Sequence, residues 1–187
     1  MMEITLKSGR HESREDGMCL MEAVAFLAGE PHSDHPACTD PVLGAFGRAL
    51  NDEMTDDECV LLAPLAKKLI GTAGDHTLSL RRAMMLCDGV VRQIVPIALD
   101  AAGLSANAQQ LRDLQPIIDQ QSARSAGWSA RSAASAASSA ESAASAASSA
   151  ESAGWSARSA GWSARSAVHK AVITQIVWLF SAAMEIK

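Results

Sequence analysis

The sequence predicts an all-α protein, with an N-terminal helical domain over residues 1–115 and a long Ser/Ala-rich helix over 116–187. Three observations predict it. Apolar residues recur at helical spacing or fill whole turns, and no stretch of useful length alternates polar and apolar as a strand would. Tyr is absent and Phe numbers three, so strand-forming material is scarce. Between Ser122 and Ala167 all but four Arg, two Glu, three Gly and three Trp are Ser or Ala, and the segment advances in sevens. A seven-residue period brings nearly the same helix face round again after two turns.

The elements follow in order. Ile4 to Leu6 reads as a short strand or an extended arm, and Gly17 ends a charged loop. Met18 to Ala28 is apolar on nearly every face, as a helix buried all round would be, and Gly29 stops it. Glu30 to Thr39 is a loop rich in Pro, His and Asp. Asp40-Pro41 reads as an N-cap with proline in the first turn, opening a helix to about Leu50. Thr55 and Glu58 have capping-box spacing. The helix they open carries Val60, Leu61, Leu65, Leu69 and Ile70 on one broad face and ends at Gly71. Asp75 or Thr77 starts a long helix through Leu99, kinked where Pro96 has no N–H to donate. Gly103 ends it, Ser105 caps a short helix to Leu114, and Pro116 opens the last helix, running through the repeat towards Ile186.

Within the repeat, Ala123, Ala126, Ala130, Ala133, Ala137, Ala140, Ala144 and Ala147 keep a strict 3–4 spacing. The pattern then slips by one position and resumes at Ala153. Alanine favours helix and serine less so. A face of such small side chains approaches a neighbouring helix closely, either in its own chain or in a second copy, and so predicts homo-oligomer contacts. Arg124, Trp128 and Arg131, then Trp155, Arg158, Trp162 and Arg165, form a second stripe in which Arg can lie over indole faces. The alternatives for the segment are a disordered linker, a stacking surface for single-stranded nucleic acid, and a regular surface-templating face.

A net charge of −5 argues against a dedicated nucleic-acid-binding domain. The first residues hold no apolar run of signal-peptide length, and four Cys without an export signal fit free thiols in a reducing cytoplasm. The most apolar run, Ala171 to Ala183, falls short of the roughly 20 residues of a membrane span. It reads as a buried terminal helix of a soluble protein.

The densest polar chemistry lies between Gly17 and Pro41. Cys19 and Glu22 sit three apart, so they share a helix face, and a carboxylate in so apolar a helix demands a partner, for which Arg10, Arg14 and His35 are candidates. Cys19, His32, His35 and Cys38 are the candidate ligands if zinc is bound, although there is no Cys-x-x-Cys pair; otherwise no cofactor is expected. Glu22, Glu30 and His35, with Asp34 beside them, are the candidate catalytic cluster; a hydrogen-bonded loop pinned by Pro36 and Pro41 is the structural alternative. His11, His76 and His169 read as isolated surface or capping residues. No phosphate-cradling glycine loop, nucleophile elbow or metalloprotease helix is present.

The block Gly17-Met18-Cys19-Leu20-Met21-Glu22 through Gly29-Glu30, followed by Ser33-Asp34-His35-Pro36, Cys38 and Pro41-Val42, resembles a group of helical proteins from actinobacteria and their phages. Asn51-Asp52, Leu69 to Thr72 and an Ala-rich tail with scattered Trp and Arg extend the likeness over most of the chain, with Ser replacing much of the tail's Ala. The resemblance carries no activity. It implies that Gly17, Cys19, Glu22, Gly29, Glu30, Asp34, His35, Pro36 and Cys38 form one recurring structural unit. The leading functional expectation is a non-enzymatic assembly or binding protein. A metal- or small-ligand-binding domain with hydrolytic chemistry and a nucleic-acid or surface binder stand as alternatives.

Overall fold

A computed structural model describes residues 4–127, 129–130, 132–133 and 154–187, with side chains in the last stretch described from residue 168. The described residues are helical, with no strand among them. The chain forms two compact units, one of Met1–Ala83 with Val177–Lys187 and the other of Met84–Ile176. The expected boundary at residue 115 lies inside the second of these units. Residues 177–187 complete the first unit, and the start of the repeat completes the core of the second.

In the first unit α1 (Leu20–Ala28) is buried on nearly every side over its first two turns, as its composition predicts. Gly29 ends it at φ 73, a left-handed position that favours glycine, and donates its N–H back to Ala25 and Phe26. Helix α2 (Pro41–Glu53) opens on Asp40, whose Oδ1 accepts from the N–H groups of Val42 and Leu43 at 2.9 and 3.1 Å. Glycine at position 47 lets α2 press close. A Cβ there would lie 3.0 Å from Met21 Cε and 3.1 Å from Phe180 Cζ. Phe180 is fully buried and tilts against Phe46 with ring centroids 5.3 Å apart.

The single helix expected from Thr55 to Ile70 is two. Helix α3 (Asp56–Cys59) ends in a tight turn before α4 (Ala63–Leu69), with Pro64 in the first turn of α4. Pro64 has no N–H for the Val60 carbonyl, and its ring would collide with that carbonyl in a continuous helix. The chain instead closes with three-residue bonds, Leu61 N to Glu58 O and Leu62 N to Cys59 O, both at 2.9 Å. Leu62, Leu65 and Leu69 turn inward, whereas Val60 and Leu61 are left 58% and 46% exposed. One broad apolar face was expected; the break divides it.

Helix α5 (His76–Gly89) leads into a π-helical turn, Val90–Ile94, and then α6 (Val95–Ala101). The kink expected at Pro96 takes this form because widening to the five-residue bond Val95 N–Val90 O accommodates a proline that cannot bond four residues back. Gly103, at φ 76, ends α6 as expected. Helix α7 (Ser105–Arg112) has Leu104 at its N-cap position with no side-chain cap, so Ser105 lies one residue inside.

Pro116 does not open the next helix. Ile117 is buried, and its N–H donates to Asp88 Oδ1 at 2.9 Å, which holds this stretch out of helical geometry. The helical residues 120–127 (α8) start instead on Asp119, whose Oδ1 accepts from Ser122 N at 2.7 Å. Helix α9 (Gly154–Met184) follows. The single helix expected over 117–186 thus begins later, and its middle, residues 134–153, lies outside the described residues.

The core of the second unit joins Val91, Leu99, Ala108, Leu111 and Ile117 with Ala126 and Ala133, while Ala123 and Ala130 pack partly buried against it. The first four positions of the alanine stripe therefore pack within their own chain. Ala137, Ala140, Ala144 and Ala147 lie outside the described residues. Replacing Ala126 or Ala133 by Leu should cost about 1–3 kcal/mol by overpacking. The loss should appear in thermal unfolding without any change of mass in light scattering; unchanged melting would mean that this face is open in solution.

Candidate functional site

The Gly17–Pro41 block is organised around Glu22, which is 1% exposed. Cys19 is the N-cap of α1 and Glu22 its third residue, and the two form a capping box with a thiol in the position usually held by a hydroxyl. Cys19 N donates to Glu22 Oε2 at 2.8 Å and Glu22 N to Cys19 Sγ at 3.5 Å. The remaining carboxylate capacity faces the N-terminal arm. His11 N donates to Oε1 at 2.8 Å and His11 Nδ1 to Oε2 at 3.1 Å. His32 Nε2 lies 3.9 Å from Oε1 and donates to the His11 carbonyl at 3.0 Å, leaving its buried Nδ1 without a hydrogen-bond partner. Burial pushes the Glu22 carboxyl up, but the Cys19 and His11 donors outweigh it and hold it below the usual glutamate value.

Glu22 thus finds its partners in His11 and His32, not in the expected Arg10, Arg14 or His35. Arg14 instead lies over the Phe26 ring, 4.5 Å from its centroid. His11, expected to be an isolated surface residue, is half-buried. Asn51 is a second clamp on the same arm. Its Oδ1 accepts from Leu20 N at 3.0 Å and its Nδ2 donates to the Lys7 carbonyl at 2.9 Å. No local pattern marks Asn51, which appears in the sequence only through the resemblance.

The other candidates hold the following loop. Glu30 accepts from Ala37 N at 2.6 Å and Cys38 N at 2.9 Å, and the Cys38 and Ala37 donors keep its carboxyl below the usual value. Asp34 pairs with His35 Nδ1 at 2.8 Å, its carbonyl accepts from Arg48, and His35 is 67% exposed. The proposed zinc ligands therefore have separate engagements: Cys19 in the capping box, His32 at Glu22, His35 on Asp34 and Cys38 beside Thr39. Among the described residues no three His, Cys, Asp or Glu side chains form a group that could hold a metal ion. Glu22, Glu30 and His35 likewise have different partners rather than one shared centre.

A second buried polar cluster escaped sequence reasoning. Asp40 Oδ2 accepts from Ser79 Oγ at 2.6 Å and from Arg82 at 3.0 Å, with both ion-pair side chains at most 4% exposed. Arg82 also donates to the carbonyls of Thr72 at 2.6 Å and Ile186 at 3.2 Å. Burial raises the Asp40 carboxyl, but the Ser79, Leu43 and Arg82 donors prevail and hold it below the usual aspartate value. Only the capping role of Asp40 is visible locally; its partner lies 42 residues on.

A cleft of about 210 Å³ opens beside α2, bounded by His35, Pro36, Thr39, Pro41 and Arg48. The first free N–H groups of α2 are already taken by Asp40, so they do not serve an anion there. All four thiols are free, and burial pushes each up, Cys19 to about 12 and Cys59 to about 11. Such thiols hold their protons and are poor nucleophiles.

On the tail stripe, Arg124 is exposed. Trp128 and Arg131 lie outside the described residues. Trp155, Arg158, Trp162 and Arg165 fall on the described backbone of α9, without their side chains. No helix among the described residues is long and apolar enough to cross a membrane. No protein-family model, curated protein or solved structure matches the chain.

Proposed function

We propose that this chain is a non-enzymatic helical binding and assembly protein. The observation that carries the reading is how the carboxylates of the candidate site are used. Glu22, Glu30 and Asp40 each spend their acceptor capacity on donors of their own fold, and the neighbouring thiols are held protonated. These groups stabilise loops and helix starts. Large apolar side chains of the first unit, by contrast, stand in solvent, among them Val60, Leu61, Leu80 and Trp178.

The resemblance to the actinobacterial and phage group, which carries no activity, agrees with such a role. Four unpaired thiols fit a cytoplasmic setting. Native mass spectrometry of the full chain over a concentration series tests the reading. Assemblies at multiples of the single-chain mass are expected, and a lone chain at every concentration would remove self-assembly.

A further inference from the structure

We propose that the cleft beside α2 is a binding site for a small monocarboxylate with a short apolar body, held by the Arg48 guanidinium. The inference goes beyond the assembly reading and does not depend on it.

The observation that carries it is an uncompensated charge. Among the described residues Arg82, Arg92 and Arg112 each pair with an aspartate, and Arg10, Arg14, Arg81 and Arg124 stand in solvent. Arg48 is the one partly buried arginine among them without a carboxylate partner. Its Nη1 donates to the Asp34 carbonyl at 2.9 Å, which fixes the group but leaves its charge and its other donors unused. The neighbouring acids do not neutralise it. The Asp34 carboxylate is taken by His35 Nδ1 at 2.8 Å, and that of Asp40 by Ser79, Arg82 and the first N–H groups of α2. A guanidinium partly removed from water with no counter-charge carries a desolvation cost that an anion in the cleft would offset.

The guanidinium overlies the floor of the cleft. Arg48 Nη1 lies 3.5 Å from where a Cβ on Gly44 would stand, and Thr39 Cγ2 lies 3.8 Å from the same point. The side chain that glycine lacks is therefore what leaves the floor open between them. Pro36 and Pro41 supply apolar walls, and the exposed His35 borders them.

Size and charge select the ligand. About 210 Å³ is below the range of sites for drug-sized molecules, so the cleft suits a small acid. Its walls offer contact to carbon and few donors. The nearby Asp34 and Asp40 carboxylates would repel a phosphate dianion about twice as strongly as a monoanion. A planar carboxylate also matches the fork of a guanidinium.

The experiment titrates the full chain with butyrate, read by backbone NMR shifts and by calorimetry. Saturable shifts confined to residues 35–48 are expected, with a dissociation constant of about 1 mM, which a ligand of this size can supply. Butyramide, similar in shape but neutral, and inorganic phosphate should each bind about tenfold more weakly or worse. Arg48→Gln should lose about as much. Gly44→Ala places a methyl group between Arg48 and Thr39 at ordinary contact distances, so it should weaken butyrate while the melting temperature holds. That variant reads the cleft even if Arg48→Gln loosens the loop. N-acetyl-Gly-Val, too long for the cleft, should bind no more tightly than butyrate.

Butyramide binding as well as butyrate would make the cleft a merely apolar crevice and overturn the proposal. Phosphate binding as tightly, tighter binding of the dipeptide, or both variants binding butyrate like wild type would overturn it too, as would no saturation by about 20 mM. The mass measurement decides self-assembly separately, whichever way this titration falls.

Discussion

Replacing Asp40 by alanine should destabilise the protein by about 3–5 kcal/mol, a large share of the total stability of a domain this size. The substitution removes the N-cap of α2 and leaves the Arg82 guanidinium buried without its counter-charge. The second effect dominates, because a cap alone contributes about 1 kcal/mol. Arg82 would keep only the Thr72 and Ile186 carbonyls, which neutralise nothing. Denaturant unfolding followed by circular dichroism gives the number. Asp40→Ser/Arg82→Met separates the causes, since serine preserves the cap and methionine fills the apolar stem of the arginine. It should recover much of the loss. An Asp40→Ala midpoint equal to that of wild type would mean that the pair is hydrated in solution.

Glu22→Gln should cost about 1–3 kcal/mol at neutral pH. An amide can accept at one position only, so the bonds from His11 and Cys19 to the second oxygen are lost or reversed. The pH dependence follows from the direction of the shift. Glu22 is held below 4.5 in the folded state, so its contribution is fully present above that value and is lost as pH falls through the folded value. Asp40, held below 3.8, behaves alike at lower pH. Stability should therefore fall on the acid side, and Glu22→Gln should flatten the upper part of that fall. An identical acid slope in variant and wild type would show that Glu22 is not ionised in the fold. His35→Ala should change stability by no more than about 0.5 kcal/mol, because His35 is a surface side chain paired only with Asp34.

The parts of this protein legible in its residues are those decided within about one helical turn. Asp40 and Pro41 open α2, Gly29 and Gly103 end α1 and α6, and the capping-box spacing of Thr55–Glu58 sets a helix start, because the atoms involved are three or four residues apart. Cys19–Glu22 has the same spacing, but with a thiol in the hydroxyl's place the helix was expected to begin at Met18, and Cys19 is instead its N-cap. The all-α class follows from the same local patterning. The break at Pro64 is equally local, since a proline there denies Val60 its hydrogen bond, but the apolar spacing from Val60 to Ile70 predicted one unbroken helix and one face.

What tertiary structure alone decided are the pairings that depend on the paths of loops. His11 reaches Glu22 across 11 residues, Asn51 reaches Leu20 across 31, and Arg82 reaches Asp40 across 42. Several Arg and His residues were equally available to each carboxylate by charge, and only packing brought one of them within bonding distance. The alanine stripe shows the same limit from the apolar side. Its spacing specifies a smooth helix face, but small side chains carry no mark of their partner, and the choice of Val91, Leu99 and Ile117 for Ala126 and Ala133 comes from the way the second unit closes its own core.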